Sequence, residues 1–193
     1  YQGVGLLDFE NGQPLCTGDT RLNSDLIGSA PDGEYTGIRF DLGVPFDLNH
    51  GDVALAPAPL NIPGMWWNWQ TGYRFVRIDL KTPPVQTGEL VLTDWFIHLG
   101  STNCPSGGGA IPPSSPCAHP NRATITLADF NPRTDTIIAD LDGLLANIDL
   151  GKNTPAPPGC MSGPDDPECL QLFTNFGLDI QTGQCANGCT NQV

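Results

Sequence analysis

The stretch "GYRFVRIDLKTPPVQTGELVLTDWFIHLG", residues 72–100, decides the fold class of this chain. It contains two segments of strand length, 72–80 and 88–99, which are rich in β-branched and aromatic residues. Polar and apolar side chains alternate along both segments, and this period of two places successive side chains on opposite faces of a strand. Glycine and proline mark the borders, so the stretch predicts two β-strands.

Further segments extend the same pattern across a chain of 193 residues, a length that suits one domain. No stretch of helical periodicity separates them, so antiparallel pairing is expected rather than a parallel α/β sheet. We therefore expect an all-β domain, a β-sandwich or barrel-like fold with long loops, over residues 1–180, and a cysteine-containing tail at 181–193. The additional predicted strands are 34–42, 122–130, 135–141 and, more weakly, 4–9.

One or two short helices are also predicted. Asp166 is suited to cap a helix whose first residue is Pro167, and the apolar residues of "ECLQLFTNF" (168–176) follow helical spacing up to Gly177. The segment "DLDGLLANI", residues 140–148, is expected to add a further turn or two.

Composition excludes several classes of partner. The net charge is −13 with only 8 Lys and Arg residues, so neither nucleic acid nor an anionic membrane surface is an expected partner. No apolar run of about 18 residues is present, and we expect no membrane insertion. No signal region follows Tyr1, so we expect the chain to begin after processing or within a longer product.

The seven cysteines lie in Pro- and Gly-rich segments without the C-x-x-C spacing of zinc ribbons. This pattern indicates disulfides formed outside the cytoplasm. Loop lengths favour two short-range pairs, allow a third that would close the tail, and leave Cys16 without a partner. The expected pairs are Cys104 with Cys117, Cys160 with Cys169, and Cys185 with Cys189.

Three of the four tryptophans lie within "MWWNWQTGYRF", residues 65–75. If this segment is extended, Trp67 and Trp69 project from one face and Trp66 from the other. Core packing, a stacking surface for sugar rings or a partner, and redox chemistry all remain open for them. The irregular segment 44–65 leads directly into the tryptophans, and its length predicts an ordered functional loop.

Two histidines and a methionine suggest a metal site. His50 lies in the long loop, His98 closes the strand 88–99 before a Gly-Ser turn, and Met65 precedes the tryptophans. Two imidazoles and a thioether suit copper, particularly Cu(I), whereas zinc more often recruits a carboxylate or thiolate. His119, between a cysteine and a proline, is interpreted as a loop residue.

Five segments occur in a fixed order: "LNHGDVALAPAPLN", "MWWNWQTGYRFVRIDL", "FIHLGSTNC", "NRATITLADF" and "PGCMSGPDDPECLQLF". Together, over about residues 4 to 180, the chain resembles the MbnP family of copper-associated proteins encoded beside methanobactin genes and in related gene pairs. The family has a WxW motif and four characteristic cysteines.

The resemblance implies a secreted or periplasmic copper-binding protein linked to copper acquisition or homeostasis. Its implied partner is a diheme cytochrome of the MauG-like peroxidase type, which converts a tryptophan of the protein to kynurenine. The WxW motif falls on Trp67 and Trp69, and the four-cysteine motif falls on the first two disulfide pairs named above. Family members carry a further N-terminal strand segment with its own cysteine, so we expect this domain to lack that segment, which would explain why Cys16 is left without a partner.

Other classes of function compete with this hypothesis. An extracellular ligand- or carbohydrate-binding module would use the tryptophans as a stacking surface and would need no histidine. An enzyme is not expected, because none of the four glutamates forms a catalytic constellation with a histidine and "HLGS" is not a G-x-S-x-G nucleophile elbow.

Overall fold

Two β-sheets form the framework of the protein in the computed structural model, which describes residues 3–13, 21–154 and 157–189. The strands in this part of the chain are β1 Gly37–Leu42, β2 Trp66–Asn68, β3 Gly72–Thr87, β4 Leu90–Gly100, β5 Ala123–Ala128 and β6 Gly159–Cys160. The larger sheet has the order β2-β3-β4-β6, with β6 parallel to β4 and the other pairs antiparallel, and the smaller sheet pairs β1 with β5. The predicted all-β, sandwich-like fold is confirmed.

The helices are short; the first two lie between strands and the third follows β6. They are α1 Phe46–Asn49, α2 Leu141–Leu144 and α3 Cys169–Asn175, with 3-10 turns at Pro63–Met65 and Ala186–Cys189. No helix among the described residues is long and apolar enough to cross a membrane.

The β3–β4 pair is the longest ladder; β3 extends beyond its predicted segment to Thr87, whereas β4 begins two residues later and ends one residue later than predicted. Proline has no amide hydrogen to donate, and a shift of register between Lys81 and Val85 takes Pro83 and Pro84 out of regular pairing. The pairing of β3 with β4 therefore continues past two prolines that would otherwise end the strand.

The main core packs against one face of β4. Alternation turns Trp95, Ile97 and Leu99 inward, where they are fully buried against Leu172 and Phe173 of α3. The core cluster also includes the bonded pair Cys160–Cys169, so a covalent link joins β6 to α3 inside the apolar layer.

All three expected disulfides form: Cys104–Cys117, Cys160–Cys169 and Cys185–Cys189. The last pair lies against β5, where the Cys189 sulfur lies 3.4 Å from the Thr124 amide nitrogen. Cys16 lies outside the described residues.

Two strand predictions are wrong. Residues 135–141 are irregular and solvent-exposed, with Ile138 82% exposed, because no neighbouring strand supplies backbone partners for them. They lead into α2, whose N-cap Asp140 accepts hydrogen bonds from the amides of Asp142 and Gly143. The weak strand 4–9 contributes only a bridge between Asp8 and Asn23.

The predicted C-terminal helix is present but begins later, at Cys169. The Asp166 carboxylate accepts hydrogen bonds from the amides of Met161 and Glu168, so it stabilises the preceding turn rather than capping the helix. Gly177 follows the end of the helix, as expected.

The segment 44–65 is ordered around the tyrosine of β3. Leu60 and Val44 are buried against Tyr73 and Phe75, and the Tyr73 hydroxyl donates a hydrogen bond to the Leu60 carbonyl. This second apolar cluster holds the loop against the start of β3, next to the tryptophan segment.

Two leucines of α3 provide a matched test of this core. Leu172 is fully buried, whereas Leu170 is 60% exposed. We expect Leu172→Ala to lower the free energy of unfolding by about 2–5 kcal/mol through lost burial and a cavity, and Leu170→Ala to change it by about 0.5 kcal/mol or less. Urea unfolding followed by tryptophan fluorescence measures both, and equal costs would contradict the packing of α3 described here.

Candidate functional site

A short strand and a tight turn hold the tryptophan segment. β2 pairs with the start of β3, and the Asn68 side-chain oxygen accepts hydrogen bonds from the amides of Gln70 and Thr71. Gly72 follows with a φ of +75°, and a Cβ at this position would collide with Asn49. The chain therefore reverses direction directly after the tryptophans.

The tryptophan rings of this segment have different environments. The Trp67 indole lies beneath the Arg74 guanidinium, 5.0 Å from its carbon to the ring centroid, and rests on Gly100, where a Cβ would collide with it. Trp69 packs edge-on against Trp66 at a centroid distance of 5.8 Å. The predicted same-face pair of Trp67 and Trp69 is wrong, because β2 ends one residue before Trp69 and the turn brings its ring to Trp66.

His98 lies near the end of β4, on the face opposite the core residues, and is 9% exposed. Its Nε2 lies 2.7 Å from Oδ1 of Asp79 on β3, and Arg77 donates to the other oxygen of the same carboxylate. The rings of Phe96 and Trp67 flank the imidazole at centroid distances of 5.3 and 6.4 Å. Because a carboxylate only accepts hydrogen bonds, the neutral ring carries its proton on Nε2 and keeps a lone pair on Nδ1.

His50 follows α1 and is 8% exposed. Its Nδ1 lies 3.2 Å from the Trp69 carbonyl oxygen, which can only accept, so Nδ1 carries the proton and Nε2 keeps the lone pair. Nε2 lies 3.3 Å from the Asn49 side-chain nitrogen and 3.7 Å from the Cys117 sulfur, and the Phe46 ring packs 5.1 Å away. As in His98, one nitrogen is held by an oxygen, but the Nε2 lone pair of His50 accepts a hydrogen bond from the Asn49 side-chain amide.

Burial lowers the pKa of both histidines below their usual range. For His50 the backbone hydrogen bond opposes this effect; for His98 the carboxylate of Asp79 opposes it, while the charges of Arg74 and Arg77 add to it. Both rings are consequently neutral at pH 7, which is the form of imidazole that ligates metals.

The structure brings both candidate histidines to the tryptophan segment but at different points. His98 contacts the ring of Trp67, and His50 binds the carbonyl of Trp69. Met65 instead packs against the second apolar cluster, as does Trp66. These residues therefore form a discontinuous set of donors around one segment.

His119 lies apart, as expected for a loop residue. Its Nδ1 lies 3.4 Å from the Thr102 hydroxyl and 3.3 Å from the Asn103 side-chain nitrogen. Its backbone pairs with Thr102 in an antiparallel bridge beside the Cys104–Cys117 disulfide.

Within the described residues, two groups of three His, Cys, Asp or Glu side chains have donor atoms that all lie within 4.8 Å of one another. One comprises His50, Cys104 and Cys117, and the other Cys160, Asp166 and Cys169. Both pairs of cysteines are disulfide-bonded. Bonded sulfurs are poor metal ligands because the thiolate is the ligating form.

Sequence reasoning missed Asp79 and Arg74. Burial acts to raise the pKa of Asp79, but hydrogen bonds from Arg77 and His98 lower it below its usual range, so this carboxylate is ionised and holds the His98 tautomer. Alternation places Arg77 and Asp79 on the polar face of β3, and this pattern was the sequence signal that could have identified Asp79 as a site residue. Their match to His98 depends on the pairing register of β3 with β4, which alternation does not specify.

The family model described as MbnP matches residues 1–162. The chain is also similar to a solved structure, MbnP from Methylosinus trichosporium, with a TM-score of 0.72 and 36% sequence identity over 86% of this chain. The chain spans 60% of the length of that relative. No curated protein matches.

The neutral state of His50 predicts a pH-dependent contribution to stability. The folded pKa lies below the unfolded value of about 6.5, so the unfolded chain binds the proton first on acidification. The stability contributed by the neutral ring is fully present above about pH 6.5 and is lost as the pH falls from there through the folded pKa.

Urea unfolding of the wild type and His50→Gln at about pH 7.5 and about pH 5.5 measures this contribution. We expect the difference in unfolding free energy between the two proteins to shrink at the lower pH. Asp166, whose pKa burial raises to about 6, is present in both proteins and cancels from the comparison. A difference that does not change with pH would contradict the buried, neutral state of His50.

Proposed function

The chain belongs to the MbnP family, and we propose that it is a periplasmic or secreted copper-binding protein linked to copper acquisition or homeostasis. We further propose that it is the substrate, not the enzyme, of a diheme MauG-like protein that converts one of its tryptophans to kynurenine. The observation that carries this proposal is the pair of buried histidines beside the tryptophan segment, each with one ring nitrogen held by an oxygen and the other nitrogen carrying the lone pair.

The chemistry of these donors fits copper. His98 would bind through Nδ1 and His50 through Nε2, since the opposite nitrogen of each ring is held by an oxygen. Metal-ligating histidines usually have this support, which fixes ring orientation and raises ligand basicity. Copper, when bound, would supply one-electron chemistry between Cu(I) and Cu(II). Met65 would supply a thioether suited to Cu(I) if its side chain turned out of the apolar cluster.

Electrostatics distinguish the two candidate tryptophans. Loss of an electron leaves a positive charge on the indole, and the guanidinium of Arg74 over Trp67 opposes that charge at short range. Trp69 has the edge of Trp66 as its ring neighbour instead. This contrast favours Trp69 as the tryptophan that the partner oxidises.

The charge of the chain suits a partner with a basic surface. It carries 21 Asp and Glu residues against 8 Lys and Arg residues. An acidic protein attracts a basic docking patch and accelerates the encounter at low ionic strength. We expect association with the diheme protein to weaken as salt concentration rises.

The alternative of a carbohydrate-binding module is less well supported. All three tryptophans of the segment are half-buried, Trp67 is covered by Arg74, and Trp69 packs against Trp66. A stacking platform requires ring faces open to the ligand.

The copper proposal predicts that His98→Ala and His50→Ala each abolish tight Cu(I) binding, because either substitution removes an imidazole of a two-histidine set. Competition against a chromophoric Cu(I) chelator measures affinity and stoichiometry. Asp79→Asn should weaken binding by about 10–100-fold, since it removes the group that orients His98.

His119→Ala is the matched control and should bind copper like the wild type. Unchanged affinity and stoichiometry in His98→Ala would exclude the histidine site. An equal loss in His119→Ala would indicate nonspecific collection of cations by the acidic surface.

The oxidation proposal predicts a mass change in protein isolated from its native host. Conversion of tryptophan to kynurenine adds about 4 Da, and the intermediate N-formylkynurenine adds about 32 Da. We expect Trp69→Phe to lack this mass change and Trp67→Phe to retain it, as read by intact-protein mass spectrometry with peptide mapping. The reverse pattern would reassign the site to Trp67, and an unmodified wild type would exclude the oxidation.

A further inference from the structure

We propose that His50, Cys104 and Cys117 form a second, thiol-dependent site for Cu(I), which the Cys104–Cys117 disulfide closes and its reduction opens. This inference goes beyond the proposed copper function, because the site uses two sulfur donors and makes no use of His98. The two sites would share His50, so reduction would redirect that ligand from one set of donors to the other.

The spacing of the donor atoms fits a single ion. With metal–sulfur distances of about 2.3 Å and metal–nitrogen distances of about 2.0 Å, a sulfur and a nitrogen bound to one ion lie about 3.5–3.7 Å apart. Cys117 Sγ and His50 Nε2 are separated by 3.7 Å, and all three donor atoms lie within 4.8 Å of one another. The site would need the sulfurs to separate, with little movement of His50.

The backbone holds the two cysteines together independently of their covalent bond. Thr102 and His119 exchange backbone hydrogen bonds of 2.9 and 3.2 Å, and the Ala118 amide donates to the Asn103 carbonyl at 3.0 Å. These bonds lie immediately outside the loop that the disulfide closes. Free thiols would therefore remain side by side after reduction.

His50 is also held without help from the sulfurs. Its Nδ1 donates to the Trp69 carbonyl, and its ring packs against Phe46. Nε2 lies 3.7 Å from the Cys117 sulfur and accepts a hydrogen bond from the Asn49 side-chain amide at 3.3 Å, which the metal would displace. After reduction, the two thiolates and this imidazole nitrogen would form a set of donors that soft Cu(I) prefers.

The second cluster of candidate ligands lacks these properties. Cys160 and Cys169 are fully buried in the main core, and Asp166 offers oxygen rather than nitrogen. The Asp166 carboxylate already accepts two backbone hydrogen bonds, from Met161 and Glu168. Oxygen donors suit hard cations better than Cu(I).

Opening and loading the site requires only a dithiol and Cu(I). The dithiol breaks the sulfur–sulfur bond, transfers two electrons and two protons to Cys104 and Cys117, and leaves as its own disulfide. Cu(I) then displaces the two thiol protons and forms two bonds to sulfur and one to the imidazole nitrogen of His50.

The test uses His98→Ala, in which the proposed histidine site is already disrupted. The protein is reduced with dithiothreitol, desalted anaerobically and titrated with Cu(I) against a chromophoric chelator. We expect no tight binding before reduction and one additional Cu(I) per chain after it. Adding Cys104→Ser and Cys117→Ser should remove this gain, and adding His50→Ala should weaken it by about 10-fold or more.

Cys185→Ser with Cys189→Ser is the matched control, because it removes a disulfide without touching the site, and the gain should persist. An equal gain with and without Cys104 and Cys117, or one indifferent to His50, would overturn this inference alone. Tight binding by oxidised His98→Ala would instead contradict the histidine site of the proposed function.

The dithiothreitol treatment also acts on the buried Cys160–Cys169 bond, whose loss would weaken the core. A second variant therefore tests the site without reductant. In the His98→Ala background, Cys104→Ser leaves the thiol of Cys117 facing His50. We expect this protein to bind Cu(I) and to lose that binding when His50→Ala is added. Binding that is absent, or that survives His50→Ala, would overturn the site.

Discussion

The antiparallel ladder between β3 and β4 determines which side chains enter the core and which reach the tryptophan segment. On one face it turns Trp95, Ile97 and Leu99 into the apolar layer beneath α3. On the other face the same register brings Asp79 to His98. A slip of one residue would move every side chain to the opposite face, so core and candidate site depend on a single register.

Desolvation by the fold explains the chemical state of the candidate ligands. Burial keeps both imidazoles neutral, and an oxygen at one nitrogen of each ring determines where the remaining lone pair points. Because the two acceptors are a strand carboxylate and a turn carbonyl, the two histidines present different nitrogens, Nδ1 of His98 and Nε2 of His50. The oxygen acceptor that the fold places at each ring therefore selects the tautomer, and the tautomer selects the donor atom.

The disulfides act in different surroundings. Cys160–Cys169 is enclosed by the main core and links β6 to α3, so it belongs to the scaffold. In Cys104–Cys117, by contrast, the Cys117 sulfur lies 3.7 Å from the imidazole nitrogen Nε2 of the buried His50. One disulfide therefore cross-links the scaffold, whereas the other occupies sulfur atoms that, in the proposed site, would bind Cu(I) after reduction.

The sequence by itself determined the strands of residues 72–100, the short-range disulfides and the histidines and tryptophans that surround the candidate site. These features follow from local periodicity and loop length, which act over a few residues. Only the tertiary structure decided that 135–141 has no strand partner, that Trp69 turns back onto Trp66, and that Asp79 meets His98. Each of these depends on contacts between distant parts of the chain, and a pattern of alternation carries no information about which strand lies alongside or in what register.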